Sequence, residues 1–184
     1  MSLRVRETAL PGVVVIEPTV LRDARGFFLE TYHAGKYRDA GIAMPFVQDN
    51  HSRSAAGILR GLHAQLGEPL GKLVRCVRGA IFDVAVDVRR GSPHFGRWVG
   101  VTLSEENFQQ LWVPPDFLHG FCVVEGPAEV EYKCTALWNP AAEIAVRWND
   151  PELAIAWPVA TPQLSDKDAA APLLADIRER LPQA

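Results

Sequence analysis

The sequence lacks the patterns that mark several large classes of protein. Its three cysteines are an odd number and form no CxxC pair. Such sparse cysteines are usual for small buried apolar side chains in a reducing compartment, and they give no disulfide framework. No apolar run reaches the length of a membrane-spanning helix, and the N-terminus carries no signal-peptide pattern. We therefore expect a cytoplasmic protein that does not enter the membrane.

An excess of basic residues is also missing. The 19 Lys and Arg residues are outnumbered by 22 Asp and Glu residues, which gives a net charge of −3. Because nucleic-acid-binding proteins usually present a basic surface, this balance argues against a nucleic-acid partner. It leaves room for a nucleotide ligand, since two or three Arg or Lys side chains suffice to hold a diphosphate.

Long helical patterns are almost absent, and strand-like segments take their place. The 184 residues, 48% of them hydrophobic, suit one domain over 1–184 with a substantial core. About ten short segments rich in β-branched residues follow one another between turn signals, which predicts an all-β sandwich or barrel. The segment 72–77 stops at Arg78-Gly79 before the segment 80–88, and the segments 119–124 and 128–135 likewise have separate strand patterns. We therefore expect four strands there.

Two segments are predicted to be helical. Residues 34–41 suit one short helix that ends at Gly41. Near the C-terminus, Ser165-Asp166-Lys167-Asp168 has the form of a capping box, and Leu174, Ile177 and Leu181 share one face at helical spacing. We expect a C-terminal helix over about 165–181 that docks on the barrel.

The run Leu59-Arg60-Gly61-Leu62-His63-Ala64-Gln65 combines a cation, a glycine and a histidine in an otherwise buried strand. Strict alternation puts His63 and Arg60 on opposite faces, and a lone histidine in a core is usually only hydrogen-bonded. Gly61 allows a bulge that redirects its neighbours, as is common near active sites, and an arginine is costly to bury without an anion. A second histidine beside a glycine, His119, lies in a similar run.

Two histidines on a barrel raise the question of a metal. Cupin-type barrels often bind a metal through a His-x-His pair, a nearby Glu and a later His. Here the pair is replaced by His63-Ala64-Gln65, and Glu68 and His119 add little to the set. We expect no metal site. Alternation also points Tyr132 inward, where it is either a hydrogen-bonded core tyrosine or a proton donor, and the pattern leaves both open.

Taken together, these motifs resemble the dTDP-4-dehydrorhamnose 3,5-epimerase family of the cupin superfamily. The resemblance covers almost the whole chain, and many pieces in the same order make it far more specific than any single motif. The matching pieces are Asp23-Ala24-Arg25-Gly26-Phe27-Phe28-Leu29-Glu30, Phe46-Val47-Gln48-Asp49-Asn50-His51-Ser52, Leu59 to Gln65, Gly71-Lys72-Leu73-Val74-Arg75, Phe82 to Asp87, Leu111-Trp112-Val113-Pro114, His119-Gly120-Phe121, Tyr132-Lys133 and Leu164-Ser165-Asp166-Lys167-Asp168.

The resemblance implies a jelly-roll homodimer with a few short helices that needs no metal or cofactor. It implies inversion of C3 and C5 of dTDP-4-dehydro-6-deoxy-D-glucose, in making dTDP-L-rhamnose for carbohydrates such as lipopolysaccharide O-antigen. By residue-wise match, the catalytic residues would be the base His63, its partner Asp168, the acid Tyr132 and, beside the C4 oxygen, Lys72. The residues that would bind the nucleotide sugar are Arg25, Phe27, Glu30, Gln48, Asn50, Arg60, Lys72, His119, Glu143 and Lys167, with Trp138 against the thymine.

These residue types suit the implied reaction. Both carbons flank one ketone, so removal of either C–H proton gives an enolate, and a histidine oriented by a carboxylate is a fitting base. Lys72 would stabilise the enolate oxygen, and inversion needs a separate acid on the opposite face, Tyr132. The diphosphate suits the planar donors of Arg25 and Arg60.

The chain departs from the family pattern after Thr135. Where the family commonly has a polar residue and two tyrosines, this chain has Ala136-Leu137-Trp138. Trp138 keeps a stacking ring, whereas Leu137 lacks a hydroxyl beside the sugar. A single-site epimerase, or a ketoisomerase acting on a related nucleotide 4-keto-6-deoxy sugar, is therefore the alternative. A metal-dependent cupin oxygenase and a non-catalytic sugar-nucleotide binding module are more distant ones.

Overall fold

The computed structural model describes residues 2–68 and 70–184, in which strands greatly outnumber helices. The strands are β1 (Leu3–Glu7), β2 (Val14–Pro18), β3 (Val20–Asp23), β4 (Gly26–Leu29), β5 (Gln48–Ser54), β6 (Leu59–Gln65), β7 (Lys72–Asp87), β8 (Trp98–Ser104), β9 (Gln110–Val113), β10 (Phe117–Cys134) and β11 (Glu143–Ala145). The helices are α1 (Ala34–Asp39), α2 (Asp166–Ala169) and α3 (Leu174–Ile177), with a 3₁₀ turn at Arg178–Arg180. No helix of this described part is long and apolar enough to cross a membrane.

Strands β7 and β10 run through both halves of the fold. One half contains β5 and β9, and the other contains β6 and β8. Strands β7 and β10 pair antiparallel along nearly their whole length, from Lys72 opposite Cys134 to Asp87 opposite Phe117. One half of β7 also pairs with β9 and the other with β8, while β10 pairs with β5 at one end and β6 at the other. Strands β1, β2 and β11 extend this antiparallel framework, and β3 and β4 form a separate hairpin. The predicted all-β jelly roll is confirmed.

Apolar side chains fill three layers around this framework. The layer between the two halves includes Val74, Ile81, Val123 and Val130, and Tyr132 packs against it. A second layer holds the C-terminal segment against β6, β7 and β10, and a third holds α1 against β2 and β9. Because alternate residues of β7 and β10 serve different layers, both faces of these strands are buried.

The predicted strand break at Arg78-Gly79 is wrong, and so is the break between 124 and 128. Each pair of segments forms one long strand, with irregular register where β7 and β10 bend. At Gly79, φ is +69° and an added Cβ would lie 2.5 Å from the carbonyl oxygen of Glu125. Glycine thus permits a bend within β7 that the sequence pattern presents as a turn.

The helical predictions are confirmed in part. Helix α1 lies within the predicted segment, and Leu174, Ile177 and Leu181 share a buried face. The C-terminal segment is not one helix, however, because Pro172 lacks an N–H donor and disfavours the helical conformation of the residue before it. The chain therefore leaves α2 before Pro172 and starts α3 anew, where the Asp150 carboxylate accepts the Leu174 N–H at 2.7 Å.

Neighbouring valines on β10 test which positions face the interior. Val123 is fully buried between the halves of the fold, whereas Val124 is 38% exposed. We expect Val123→Ala to lower the free energy of unfolding by about 2 kcal/mol, because two buried carbon atoms are lost and a cavity remains. The same change at Val124 should cost less than ~0.5 kcal/mol. Urea denaturation measures both, and equal losses would contradict the assigned faces.

Candidate active site

His63, Lys72 and Tyr132 each line two adjoining cavities, which therefore form one continuous site. The cavities have volumes of about 380 and 240 Å³, the range of a small-molecule site. The larger cavity is bounded by β6, β10 and the approach to α2, and the smaller one by β5 and the segment that precedes β11. The side chains come from strands of both halves of the fold, so the site lies where the two halves meet.

A buried carboxylate orients His63. Asp168, 4% exposed, lies 2.6 Å from His63 Nε2 through Oδ1. Burial would raise the pKa of Asp168, but hydrogen bonds from His63, Ser165 and the Gly61 N–H outweigh burial and hold that pKa below its ordinary value. An ionised carboxylate only accepts, so His63 Nε2 carries the proton and Nδ1 keeps a lone pair. The predicted pairing of His63 with Asp168 is present.

The Ser165 cap fixes the carboxylate at the start of α2. The Ser165 Oγ accepts the Asp168 N–H at 3.1 Å, as the capping-box pattern predicts. Helix α2 has only one turn, so its position depends on this cap and on its contacts with β6. The carboxylate that pairs with His63 is thus held by a segment that lies outside the sheets.

A bulge in β6 places Arg60 and His63 in the same cavity. His63 is opposite His119, whereas Arg60 is opposite Phe121, so β6 has one residue more than β10 over this interval. The prediction of opposite faces from strict alternation is therefore wrong, and the predicted bulge is present. At Gly61, φ is +116° and an added Cβ would lie 2.7 Å from the Gly120 Cα, so both the conformation and the close approach require glycine.

Lys72 and Tyr132 have pKa values displaced in opposite directions. Burial lowers the pKa of Lys72, and the Cys134 thiol and the Asp83 carboxylate act against that effect. Burial raises the pKa of Tyr132, with the Cys134 thiol acting in the same direction and Arg60 against it. The phenol is therefore protonated at neutral pH and is suited to donating a proton.

A second histidine–carboxylate pair lies across β7 and β10. His119, 6% exposed, has its Nε2 2.7 Å from the Oδ1 of Asp83, which is fully buried. Burial lowers the pKa of His119, which favours the neutral imidazole. Asp83 was not among the predicted site residues. In the sequence, Asp83 shares its face of β7 with Asp87, and the pattern alone does not separate buried carboxylates from a wet face.

Polar side chains around Trp138 form the other end of the site. Gln48, Asn50, Trp138 and Glu143 line the smaller cavity. The Trp138 backbone N–H donates to Gln48 Oε1 and its indole Nε1–H donates to Glu143 Oε2, each at 2.9 Å. Glu143 also pairs with Lys167. The indole is 58% exposed yet held at two points, so a flat ring is presented at the mouth of the cavity.

Three predicted residues lie outside this cavity. Arg25 pairs with Asp23, and Glu30 accepts a hydrogen bond from Lys36 at 2.6 Å. Phe27 is 56% exposed and lines a separate depression. All three belong to the β3–β4 hairpin or the residue after it, and the structure does not bring them to His63 of the same chain.

No cluster of three or more His, Cys, Asp or Glu side chains in residues 2–68 and 70–184 is arranged to hold a metal ion. The two histidines of the site each have a carboxylate as hydrogen-bond partner instead.

Comparison with known proteins identifies relatives of this chain. A family model described as dTDP-4-dehydrorhamnose 3,5-epimerase matches residues 7–176. A protein of that name from Neisseria gonorrhoeae is 53% identical over 165 residues, which are 89% of this chain and 50% of the relative. The chain thus spans about half the length of that relative.

Two solved structures are similar over nearly their whole length. The dTDP-6-deoxy-D-glucose-3,5-epimerase RmlC from Legionella pneumophila Philadelphia 1, in complex with dTDP-4-keto-L-rhamnose, has a TM-score of 0.96 and 49% identity, covering 99% of this chain and 98% of that one. ChmJ, a 3'-monoepimerase from Streptomyces bikiniensis in complex with dTDP-quinovose, has a TM-score of 0.90 and 36% identity, covering 96% and 91%. The chain belongs to the dTDP-4-dehydrorhamnose 3,5-epimerase family.

Proposed function

We propose that the protein inverts C3 and C5 of dTDP-4-dehydro-6-deoxy-D-glucose to give dTDP-4-dehydro-L-rhamnose. The observation that carries this proposal is the His63–Asp168 pair, which shares one cavity with Lys72 and Tyr132. Base, anion stabiliser and acid are the three groups that epimerisation beside a ketone requires. In this proposal residues 1–184 form one catalytic domain that acts in the cytoplasm, in keeping with three free, buried cysteines.

Proton removal falls to His63. Its Nε2–H is committed to Asp168, so the lone pair on Nδ1 accepts the proton from C3 or C5, and the carboxylate stabilises the imidazolium that results. The electrons of the C–H bond move into the ring and onto the C4 oxygen. The ammonium group of Lys72 stabilises that enolate oxygen, which exists only after proton removal, so this interaction lowers the barrier.

Return of a proton to the opposite face falls to Tyr132. Burial keeps its hydroxyl protonated, and β10 presents it to the same cavity from a strand other than that of His63. Inversion follows because the base and the acid approach the flat enolate from different sides of the cavity. The steps use only side chains of the protein.

The nucleotide would occupy the end of the site around Trp138. Gln48, Asn50 and Arg60 offer donors to the diphosphate, and the fixed indole offers a flat face to the thymine. His119, Lys167 and Glu143 complete the polar lining.

We also propose that the protein is a homodimer in which each β3–β4 hairpin completes the site of the partner. Arg25, Phe27 and Glu30 match the family's nucleotide-binding positions yet lie away from His63 of their own chain. The hairpin exposes Leu21, Phe27 and Phe28 by 52%, 56% and 63%, an apolar surface that association would cover. A second copy would thus supply the missing contacts.

The alternative of a single-site epimerase rests on Leu137. Its carbonyl accepts a hydrogen bond from Gln65 at 3.2 Å, while its side chain is 63% exposed beside Trp138 and offers no hydroxyl to a sugar. The likeness to a protein described as a 3'-monoepimerase supports this alternative.

Deuterium incorporation tests the reaction and separates these alternatives. Incubation of the substrate in deuterium oxide should place label at both C3 and C5, and label at one carbon would favour the single-site reading. We expect His63→Ala to slow exchange at both carbons about 10³-fold, because one base serves both. His51→Ala, a change on an exposed surface, is the matched control. Exchange that persists in His63→Ala would refute the assignment of the base.

Tyr132→Phe separates proton donation from cavity shape. The variant keeps the ring and removes the hydroxyl, so inversion at C5 should fall by about 10²-fold while proton removal persists. The two rates are measured by product stereochemistry and by deuterium wash-in. Tyr32→Phe, outside the cavity, serves as the control. If both rates fall equally, Tyr132 only shapes the pocket.

Mixing two inactive variants tests the shared site. The variant His63→Ala lacks the base, and the double variant Arg25→Ala/Phe27→Ala lacks the hairpin contacts. After unfolding and refolding together at equal concentrations, about half the dimers are mixed, and each has one intact site. We expect recovery of about a quarter of the wild-type rate. No recovery, with mixed dimers present by native mass spectrometry, would place the hairpin outside the partner's site.

A further inference from the structure

Trp138 belongs to a segment that apolar burial does not hold in place. Residues 135–142, which link β10 to β11, adopt no strand or helix, and the side chains of Leu137 and Trp138 are 63% and 58% exposed. Within residues 2–68 and 70–184, neither of these two residues makes a backbone–backbone hydrogen bond. An exposed ring on an irregular segment samples many orientations unless polar contacts restrain it. The ring can offer a fixed face to a nucleobase only through such contacts.

The side-chain amide of Gln65 restrains this segment on both sides of the indole. Gln65 is the last residue of β6 and is 4% exposed. Its Oε1 accepts the Asn139 N–H at 2.8 Å, and its Nε2 donates to the Leu137 carbonyl oxygen at 3.2 Å. One planar amide thus bonds the two peptide groups that lie immediately before and after Trp138.

The chemistry of these partners allows the Gln65 amide one orientation. Its Nε2 also lies 3.4 Å from Glu68 Oε2, so both of its N–H groups face oxygen atoms. In the reversed orientation, the amide oxygen would face two oxygens and the amide nitrogen would face an N–H group. Because Gln65 is buried, water is a poor substitute for these partners. The contact therefore fixes the direction of the segment and is costly to break.

Two further side chains complete the hold on Trp138. Gln48 accepts its backbone N–H and Glu143 accepts its indole N–H, each at 2.9 Å. Glu143 lies directly opposite Gln65 in the pairing of β11 with β6. Gln65 and His63, two residues apart on β6, both line the smaller cavity beside Trp138. One strand thus carries the proposed base and also the residue that holds the ring.

We propose that Gln65 is a positioning residue that fixes the Trp138 ring as a platform for the thymine base of the nucleotide sugar. This inference rests on the proposed function, in which Trp138 contacts the thymine. The two hydrogen bonds from Gln65 set the position of the ring relative to His63, because both residues belong to β6. A ring that is already ordered binds the nucleotide without the cost of ordering a loose segment. Gln65 acts through Trp138 and takes no part in proton transfer.

The test is the affinity of Gln65→Met for thymidine diphosphate, since methionine keeps the length of the side chain and removes both hydrogen bonds. We expect its Kd, measured by calorimetry, to rise about 10-fold, because a freed ring loses most of the stacking free energy. Deuterium exchange at saturating substrate should change by less than about twofold, since His63, Lys72 and Tyr132 are untouched. A merely destabilising substitution would not separate binding from turnover in this way.

Two comparisons isolate the contact. The matched control is Gln109→Met, since Gln109 donates to Glu17 at 3.2 Å and lines neither cavity of the site. Its Kd should equal that of the wild type. In a Trp138→Ala background, Gln65→Met should cause little further loss of affinity, because its effect passes through the ring. Additive losses would overturn the inference, and so would an unchanged Kd in folded Gln65→Met.

A measurement on the wild-type protein decides the contact even if Gln65→Met fails to fold. Hydrogen exchange followed by NMR should show a protected Asn139 N–H within an otherwise irregular segment, and exchange at the rate of an unfolded chain would overturn the inference. The proposed reaction fails separately. A wild-type protein that binds thymidine diphosphate but exchanges no deuterium would refute the reaction, and the Kd of Gln65→Met would still decide the role of Gln65. A wild-type protein that does not bind thymidine diphosphate would overturn both.

Discussion

The pairing of β7 with β10 is the constraint on which the rest of the structure depends. These two strands belong to both halves of the fold, so their register sets the distance between groups that are far apart in sequence. Lys72 enters the site from one end of β7, and His119 and Tyr132 from the two ends of β10. Asp83, nearer the other end of β7, contacts the site through His119. The apolar layer between the halves fixes this register, because a slip of one residue would turn every side chain to the other face.

Charge pairing in the site follows from its position within this apolar layer. Ionised groups are costly to bury, and the structure meets that cost by giving each histidine a carboxylate of its own. The two histidine–carboxylate pairs are held in place by different parts of the fold. Asp83 belongs to the longest strand pair of the fold, whereas Asp168 belongs to a helix of four residues. The Asp83–His119 pair is therefore held within paired strands, whereas the Asp168–His63 pair depends on the Ser165 cap and on the contacts of α2 with β6.

The strand content and most of the cavity residues can be predicted from the sequence. The predictions that are wrong have physical causes. Alternation identifies inward positions such as Tyr132, but it cannot show that the bulge at Gly61 returns Arg60 to the face of His63. The pattern equally cannot distinguish a turn from the bend at Gly79, because both use glycine. Asp83 was not predicted as a site residue because its burial depends on β10, a strand about 35 residues further along the chain. These are effects of tertiary packing that local patterns do not contain.

The position of the short helix α2 in the chain determines when the candidate active site can be completed. His63 and Asp168 are separated by 105 residues, so the contact between them closes a long loop, at a cost in chain entropy. A ribosome-bound chain with its barrel already assembled would still lack the partner of its base. Opening of the C-terminal segment in the native state would likewise interrupt catalysis without unfolding the sheets. In the proposed reaction, activity thereby depends on the docking of the segment that carries Asp168.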